Sequence, residues 1–483
     1  MLILDSGDLF FAAAAAPPHL KQQWQMQAEF IVDRLNEIGC DAVGVGETDF
    51  ALGKVALLAL KQRAKFPLIN ANIVDEASSE PLFTPYVIKQ IGPLRIGIFS
   101  VIDHTLSLPK GLKAIDSVKT AQKMVRKLAS KVDFIVALTH QGLGKDMHLA
   151  LKVSGIDFVV GGHDAARLSQ PKAMNETLIV QAHEKGKYAG VLELMVREGF
   201  HQYQPIQTKF EDVTQFRTNL YRHYLVALDT ETFQNGDPDV FQKVQAFKEE
   251  LSALALKTPE GEALSAGTKT AQGNVISFAT YRQCKECHAS QYEVWKRSKH
   301  ATAMIPLYIR NQHLNAECVQ CHSVGFRQPG GFSNAAFPFV MDNGQRASVE
   351  AFLEKLAQKG AKVLPEQLRQ KKLKGSMMDL RDYPDFDRWV RAEYVKAMEQ
   401  QKWQKDFLGI QCESCHAPRG VNNPEGKQIP HFNETGFPKK VVANSCLECH
   451  TAEQSPDFRF ARDRHVQGEK DAHPPFQCKL GVF

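Results

Sequence analysis

The chain is 483 residues long, which is enough for two or three domains. With 43% hydrophobic and 23% charged residues, its composition is that of an ordinary globular protein. The formal charge of +5 is not gathered into a run of Lys and Arg, so we expect no nucleic-acid partner. No apolar segment reaches the length of a membrane span.

The N-terminal part, residues 1–210, alternates short apolar runs with helical stretches. The helical stretches include residues 23–38 and 117–131. The runs of strand type are residues 2–4, 42–45, 68–71, 95–100, 134–139, 158–160 and 178–182. This order predicts a layered α/β domain.

Residues 211–275 look connective, so we expect a helical linker there. The linker holds an amphipathic helix at 239–257, followed by a stretch rich in Gly, Thr and Ala at 259–273. A second domain is expected at 276–483, with a helical insert at 348–405. The chain is therefore predicted to be multidomain.

The second domain contains four C-x-x-C-H motifs, the signature of covalent c-type haem attachment. Two thiols three residues apart lie on one face of a helical turn and can bond the two porphyrin vinyl groups, while the next histidine ligates the iron. Zinc binding by paired cysteines is the alternative, but zinc does not need a histidine after every pair. The motif residues are Cys284, Cys287, His288, Cys318, Cys321, His322, Cys412, Cys415, His416, Cys446, Cys449 and His450.

Four haems leave roughly 50 residues of this domain for each haem, so we expect the porphyrins, packed close together, to replace a large side-chain core.

Because covalent haem attachment takes place outside the cytoplasm, the protein should be periplasmic or extracellular. No basic segment of a signal peptide precedes the apolar residues 9–16. We therefore expect that the true N-terminus lies upstream of Met1.

The sixth ligand of each iron is the main open question in this domain. A second histidine closes the iron and favours electron transfer, whereas an open iron can bind a small molecule. His300 is the preferred candidate, because it lies 12 residues after His288 and a helix could turn it towards another ring. Five histidines of this domain lie outside the motifs: His300, His313, His431, His465 and His473.

The haem motifs and their flanks resemble the cytochrome c-554 / c-prime family of tetrahaem proteins over about residues 278–470. The matching runs are CKECH…YEVWKRSKHA from 284, NAECVQCHSVGF from 315, QCESCHAP from 411 and CLECHTAEQSPDF from 446. The resemblance implies a mostly α-helical domain with few strands and four stacked haems. Family members carry electrons, and relatives include reductases of small nitrogen compounds.

Four pieces of residues 1–210 resemble the metallophosphatase domain of 5′-nucleotidases. They are LDSGDLF from 4, VGETDF from 45, LTHQGL from 138 and GGHDA from 161. The resemblance makes Asp8 a bridging carboxylate and His140 and His163 ligands of one metal. Glu47 stands where the family has a metal-binding Asn.

This resemblance is incomplete in three places. Thr48 replaces the catalytic His, Ala165 replaces a second histidine ligand, and the Asp-x-His strand would lie upstream of Met1. Read without the family, two carboxylates and two histidines suit one divalent metal ion. We therefore expect a degenerate domain with a single metal site made by Asp8, Glu47, His140 and His163.

These patterns favour an exported electron-transfer protein that exchanges electrons with redox partners, such as other cytochromes or a quinol-linked donor. One alternative is a reductase of a small nitrogen or sulfur compound at an open haem. Another is a metal-dependent phosphoesterase or nucleotidase coupled to a haem module.

Overall fold

The computed structural model divides the chain into two compact units, an N-terminal unit (Met1–Val240) and a C-terminal unit (Phe241–Phe483). The described residues are 1–197, 203–206, 218–229, 232, 236–257, 268–269, 273–310, 312–326, 328, 330–331, 358, 384–400, 407–416, 420–422, 428–429, 446–447 and 449–450. Within these residues, no helix combines the length and the apolar character that crossing a membrane requires.

The N-terminal unit is an α/β structure with a six-stranded sheet at its centre. Its strands are β1 (Leu4–Asp5), β2 (Ala42–Gly44), β3 (Leu68–Ile69), β4 (Ile73–Asp75), β5 (Tyr86–Ile91), β6 (Leu94–Ile102), β7 (Leu112–Ala114), β8 (Phe134–His140), β9 (Phe158–Gly162), β10 (Lys172–Met174), β11 (Thr177–Val180), β12 (Tyr188–Met195), β13 (Tyr203–Pro205) and β14 (Asn219–Ala227). The central sheet has the order β10-β11-β9-β8-β6-β5. Its four inner strands are parallel, and both edge strands are antiparallel.

The inner strands of this sheet are covered on both faces. All seven residues of β8 are buried, as expected for a parallel strand that packs against other layers on each side. One buried cluster joins β6, β8 and β9 to the helices α3 (Ser117–Leu128) and α4 (Leu143–Lys152). A second cluster lies on the opposite face, where β1 and β2 contribute residues.

A smaller parallel sheet, with the order β1-β2-β3, carries the N-terminus of the chain. The helices α1 (Lys21–Ile38) and α2 (Lys54–Arg63) connect its strands. The helix α1 ends where Gly39 adopts a φ of 79°, a left-handed conformation that glycine enters without a Cβ clash.

The predicted strands and helices of residues 1–210 all occur, with ends shifted by a few residues. The predicted linker differs from the structure. Asn219–Ala227 forms β14, which pairs along eight residues with β12, so the N-terminal unit continues to Val240. The helix predicted at 239–257 is α5 (Pro238–Lys257). We missed β14 because its alternation of apolar and polar residues is short and follows a polar segment.

The C-terminal unit contains short helices and one small antiparallel sheet. The helices are α6 (Thr280–Cys287), α7 (Ala289–Trp295), α8 (Ile305–Ile309), α9 (Ala316–His322), α10 (Pro384–Gln400) and α11 (Cys412–His416). The sheet joins β15 (Thr268–Lys269), β16 (Val275–Ser277), β17 (Gly420–Asn422) and β18 (Gln428–Ile429). Of the helical insert predicted at 348–405, only residue 358 and α10 are described.

The C-terminal unit has a buried side-chain cluster. Tyr281, Met304 and Tyr308 are buried together with Val390 and Tyr394 of α10. The helix α10 therefore brings an apolar face to the first motif from a distant part of the sequence.

The central sheet generates a stability prediction for the pair Ile98 and Ile88. Ile98 in β6 is fully buried, whereas Ile88 in the neighbouring strand β5 is 42% exposed. Ile98→Ala should lower the free energy of opening of β6 and β8 by about 2–5 kcal/mol, because it leaves a cavity. Ile88→Ala should change it by less than about 0.5 kcal/mol. Hydrogen exchange of these strands in the full chain measures both, and equal effects would contradict the assigned core.

Candidate metal centre and haem motifs

Four potential metal ligands of the N-terminal unit meet at the carboxyl ends of parallel strands. The loops after β1 and β2 provide Asp8 and Glu47, β8 ends in His140, and His163 follows β9. Parallel strands end at a common edge, which is where α/β proteins place their ligands. The two sheets therefore contribute two ligands each.

The ligand atoms of these four residues all lie within 4.8 Å of one another. The Nε2 atom of His140 lies 3.1 Å from a carboxylate oxygen of Asp8 and 3.1 Å from one of Glu47. Nδ1 of His163 lies 3.2 Å from the other oxygen of Glu47. In the described part of the chain, this is the one group of three or more such residues that converges.

The charges of the cluster fit a cation. His140 is 1% exposed, and its Nδ1 lies 3.0 Å from the carbonyl oxygen of Ser6, which turns Nε2 towards the carboxylates. Burial acts to lower the pKa of His140, but hydrogen bonds to Asp8 and Glu47 outweigh it and raise the pKa to about 10. A proton thus compensates the two carboxylates, and a divalent metal ion with imidazole and carboxylate ligands could replace it.

The backbone approaches the cluster closely at Gly46. A Cβ atom at this position would lie 2.8 Å from the carboxyl carbon of Asp8, so a larger residue would push that side chain away. Asp8 and His163 adopt positive φ values of 56° and 81°, which are uncommon for residues with a side chain. Strain of this kind is found where surrounding contacts hold a functional residue in place.

Asp49 supports the centre, and the sequence analysis gave it no role. Its buried carboxylate accepts backbone N–H groups from Asp8 (3.0 Å), Leu9 (2.9 Å), Phe10 (3.2 Å) and Gly46 (2.9 Å). It therefore ties the loop that carries Asp8 to the loop that carries Glu47. Burial raises the pKa of Asp49 to about 7. No local pattern marks Asp49 for this role, because three of the N–H groups it accepts lie about forty positions away in the chain.

Behind the two histidines lies a second buried polar network that was also missed. Asp146 is fully buried and accepts a hydrogen bond from Nε2 of Gln141 at 3.0 Å. Burial raises the pKa of Asp146 to about 7. Nε2 of Gln181 donates to the carbonyl oxygen of Asp164 at 2.7 Å. Since Gln141 and Asp164 directly follow His140 and His163, this network braces both ligand-bearing loops.

Thr48 and Ala165 contribute no ligand atom to the centre. The backbone N–H of Thr48 donates to Oδ1 of Asp8 at 2.8 Å, while its hydroxyl donates to the carbonyl oxygen of Phe11 at 2.9 Å. The hydroxyl thus supports the loop. Ala165 has only a methyl side chain and lies exposed in the loop after β9.

The haem motifs form helical turns, as the attachment chemistry requires. The first three lie on α6, α9 and α11, and the fourth closes a turn in which the N–H of His450 donates to the carbonyl of Cys446 at 2.8 Å. In a helical turn, two cysteines three positions apart face one side and the histidine follows them. No group of three or more His, Cys, Asp or Glu side chains converges among the described C-terminal residues.

The described motifs also contact one another. The carboxylate of Glu413 accepts the backbone N–H groups of Ala279 and Thr280, and Oε1 of Gln411 accepts that of Tyr281. Because α6 carries Cys284, the first motif adjoins the third.

Of the five predicted distal histidines, two lie in the part of the chain that the structure describes. The ring of His300 lies 6.0 Å from the ring of His450, measured between centroids. His313 packs 5.2 Å from Tyr308 in the core. His431, His465 and His473 lie outside the described residues.

Comparison with known proteins finds relatives for both parts. Residues 283–344 match the family model described as cytochrome c554 and c-prime. The chain is 26% identical over 294 residues to the trifunctional nucleotide phosphoesterase protein YfkN of Bacillus subtilis (strain 168), covering 52% of this chain and 18% of that protein. It is 32% identical over 193 residues to a snake venom 5′-nucleotidase of Gloydius brevicauda, covering 34% and 33%.

Among solved structures, a 5′-nucleotidase precursor of Thermus thermophilus aligns with a TM-score of 0.41 and 25% identity over 56% of this chain and 52% of that one. The chain spans about a third or less of the length of the two curated relatives. Both resemblances inferred from the motifs are confirmed: the N-terminal part is similar to 5′-nucleotidases and related phosphoesterases, and a cytochrome c554-like segment follows it.

Proposed function

We propose that the protein is an exported tetrahaem cytochrome that passes electrons between haems and redox partners. The proposal is supported by contacts between the motifs. The carboxylate of Glu413, in the third motif, accepts N–H groups at the start of α6, which carries the first motif. The ring of His450, in the fourth motif, lies 6.0 Å from that of His300. Haem iron is the redox group that such motifs supply when loaded. The cysteines of each motif would hold the porphyrin by thioether bonds, and the histidine that follows would ligate the iron.

A backbone hydrogen bond links the second motif to the segment before the third. The carbonyl oxygen of His322, its proximal histidine, accepts the N–H of Gly409 at 3.0 Å, three residues before Cys412. All four motifs are thus linked by direct contacts or by a single short segment. Such spacing keeps neighbouring porphyrins close, which favours transfer from iron to iron over reaction with a free substrate.

His300 is proposed as the second histidine that would hold the iron of the fourth haem, together with His450. Two histidines that held one iron would need their rings close together. The observed separation of 6.0 Å fits this arrangement.

The N-terminal unit is proposed to hold one divalent metal ion with weak or no hydrolytic activity. Asp8, Glu47, His140 and His163 would ligate the ion, which as a Lewis acid could polarise a bound phosphate oxygen. The chain's own residues supply little beyond that, because the Thr48 hydroxyl is engaged with Phe11. The unit would then act as a scaffold or docking surface.

A metal-dependent phosphoesterase is the second candidate function. It is favoured by the convergence of the four ligands together with the sequence similarity to nucleotide phosphoesterases.

We assign the protein to the periplasm or the extracellular space, because covalent haem attachment occurs outside the cytoplasm. Its partners would be other cytochromes or a quinol-linked donor.

The haem assignment predicts four covalent haems with low-spin iron in the full chain. His300→Ala should convert about one haem equivalent to the high-spin form, because it removes an axial ligand. His104→Ala, at an exposed position of the N-terminal unit, is the comparison variant, and it should leave the spin state unchanged. Haem stoichiometry and electron paramagnetic resonance measure these outcomes. A full equivalent of high-spin iron in the wild-type protein would instead favour a reductase with an open haem.

The metal assignment predicts that Mn²⁺ binding at pH 7 releases about one proton for each ion. The pKa of His140, raised to about 10, keeps its proton at pH 7 until the metal displaces it. The affinity for Mn²⁺ should therefore rise about tenfold per pH unit at pH values below the pKa of His140. His140→Ala should abolish binding, whereas His148→Ala, on the exposed side of α4, should not. Calorimetry in buffers of different ionisation enthalpy counts the protons, and binding without proton release would contradict the assigned charge state.

The two functions of the N-terminal unit differ in nucleotide hydrolysis with added Mn²⁺. We expect the full chain to hydrolyse a nucleoside monophosphate no faster than its His140→Ala variant. A metal-dependent rate at least tenfold above that variant would favour the phosphoesterase.

A further inference from the structure

The third haem motif is fastened to the first by a buried carboxylate. Glu413 lies between Cys412 and Cys415 and is 3% exposed. Its Oε1 accepts the backbone N–H of Ala279 at 2.9 Å, and its Oε2 accepts that of Thr280 at 2.7 Å. These N–H groups stand at the start of α6, where a helix has no acceptors of its own.

Gln411 extends the same attachment from the other side of Cys412. Its Oε1 accepts the N–H of Tyr281 at 2.7 Å, while its amide donates to the carbonyl of Leu408 at 3.1 Å. Two side chains that flank one haem cysteine therefore satisfy three successive N–H groups of the helix that carries Cys284. The backbone supports this junction, because β16 pairs with β17, directly before α6 and soon after α11.

The segment that leads into the third motif also reaches the other haem residues. The N–H of Ile410 donates to the carbonyl of His300 at 3.0 Å, and the N–H of Gly409 donates to that of His322 at 3.0 Å. Gly409 has a φ of 84°, and a Cβ there would lie 2.9 Å from the carbonyl oxygen of Ala301. Residues 407–413 thus form the junction of the described motifs, and Glu413 is its charged member.

We propose that Glu413 is a positioning residue that fixes the first and third haem motifs against each other, and that its buried negative charge lowers the reduction potentials of the haems they hold. The inference rests on the proposed function. Both carboxylate oxygens of Glu413 accept backbone N–H groups, which is the behaviour of the ionised form. In the interior such a charge is weakly screened, and it stabilises ferric iron, which carries one more positive charge than ferrous iron.

The test is a redox titration of the full haem-loaded chain, followed by optical and electron paramagnetic resonance spectra. Glu413→Gln keeps the shape and removes the charge, so one or two of the four haems should shift to higher potential. We expect about a tenfold change in their ferric-to-ferrous ratio, which is 59 mV for a one-electron couple. Glu286→Gln removes the same charge from an exposed position of the first motif and should shift the potentials much less.

Glu413→Asp separates charge from position, because it keeps the charge and shortens the side chain by one methylene. It should retain the low potentials but weaken the spin–spin interaction between the first and third haems. If Glu413→Asp weakens this interaction while Glu413→Gln retains it, the positioning role is supported.

Three results would count against the proposal. Reduction potentials in Glu413→Gln that match those of Glu286→Gln would overturn this inference but not the proposed function. Equal loss of all four haems in both Glu413 variants would do the same. A wild-type protein without covalent haem overturns the proposed function, and this inference with it.

Discussion

Two buried carboxylates, Asp49 and Glu413, satisfy backbone N–H groups at the junctions on which the two candidate sites depend. Asp49 accepts four such groups from the loops around the metal centre, and Glu413 accepts two at the start of α6. A buried N–H without an acceptor costs about 1–3 kcal/mol, so segments of this kind meet only where an acceptor is provided. Each carboxylate therefore joins pieces of chain that are distant in sequence.

The metal centre shows what such a junction makes possible. Once the loops are held, two carboxylates face one buried imidazole, and the group requires a positive charge at its centre. A proton on His140 meets this need in the absence of metal. The four ligand atoms converge although Thr48 and Ala165 offer no further ligand atom.

The C-terminal unit combines covalent cofactor motifs with a conventional core. Tyr281 and Trp295 stack with centroids 5.0 Å apart beside the first motif, and α10 completes the cluster with Val390 and Tyr394. The apolar face of α10 lies about a hundred residues from the motif against which it packs, so local patterns do not predict this contact.

The haem motifs and the α/β order of the N-terminal part could be predicted from the sequence, because they depend on residue type at fixed local spacing. The four metal-ligand candidates followed from short runs that resemble the metallophosphatase domain. The tertiary structure was needed to bring these four residues within 4.8 Å, to set the first motif beside the third, and to give Asp49 and Glu413 their roles. Those features arise from hydrogen bonds between residues separated by as many as 134 positions, such as Ala279 and Glu413. Local sequence patterns do not predict such pairings, because the pairings depend on packing and on the need to satisfy buried polar groups.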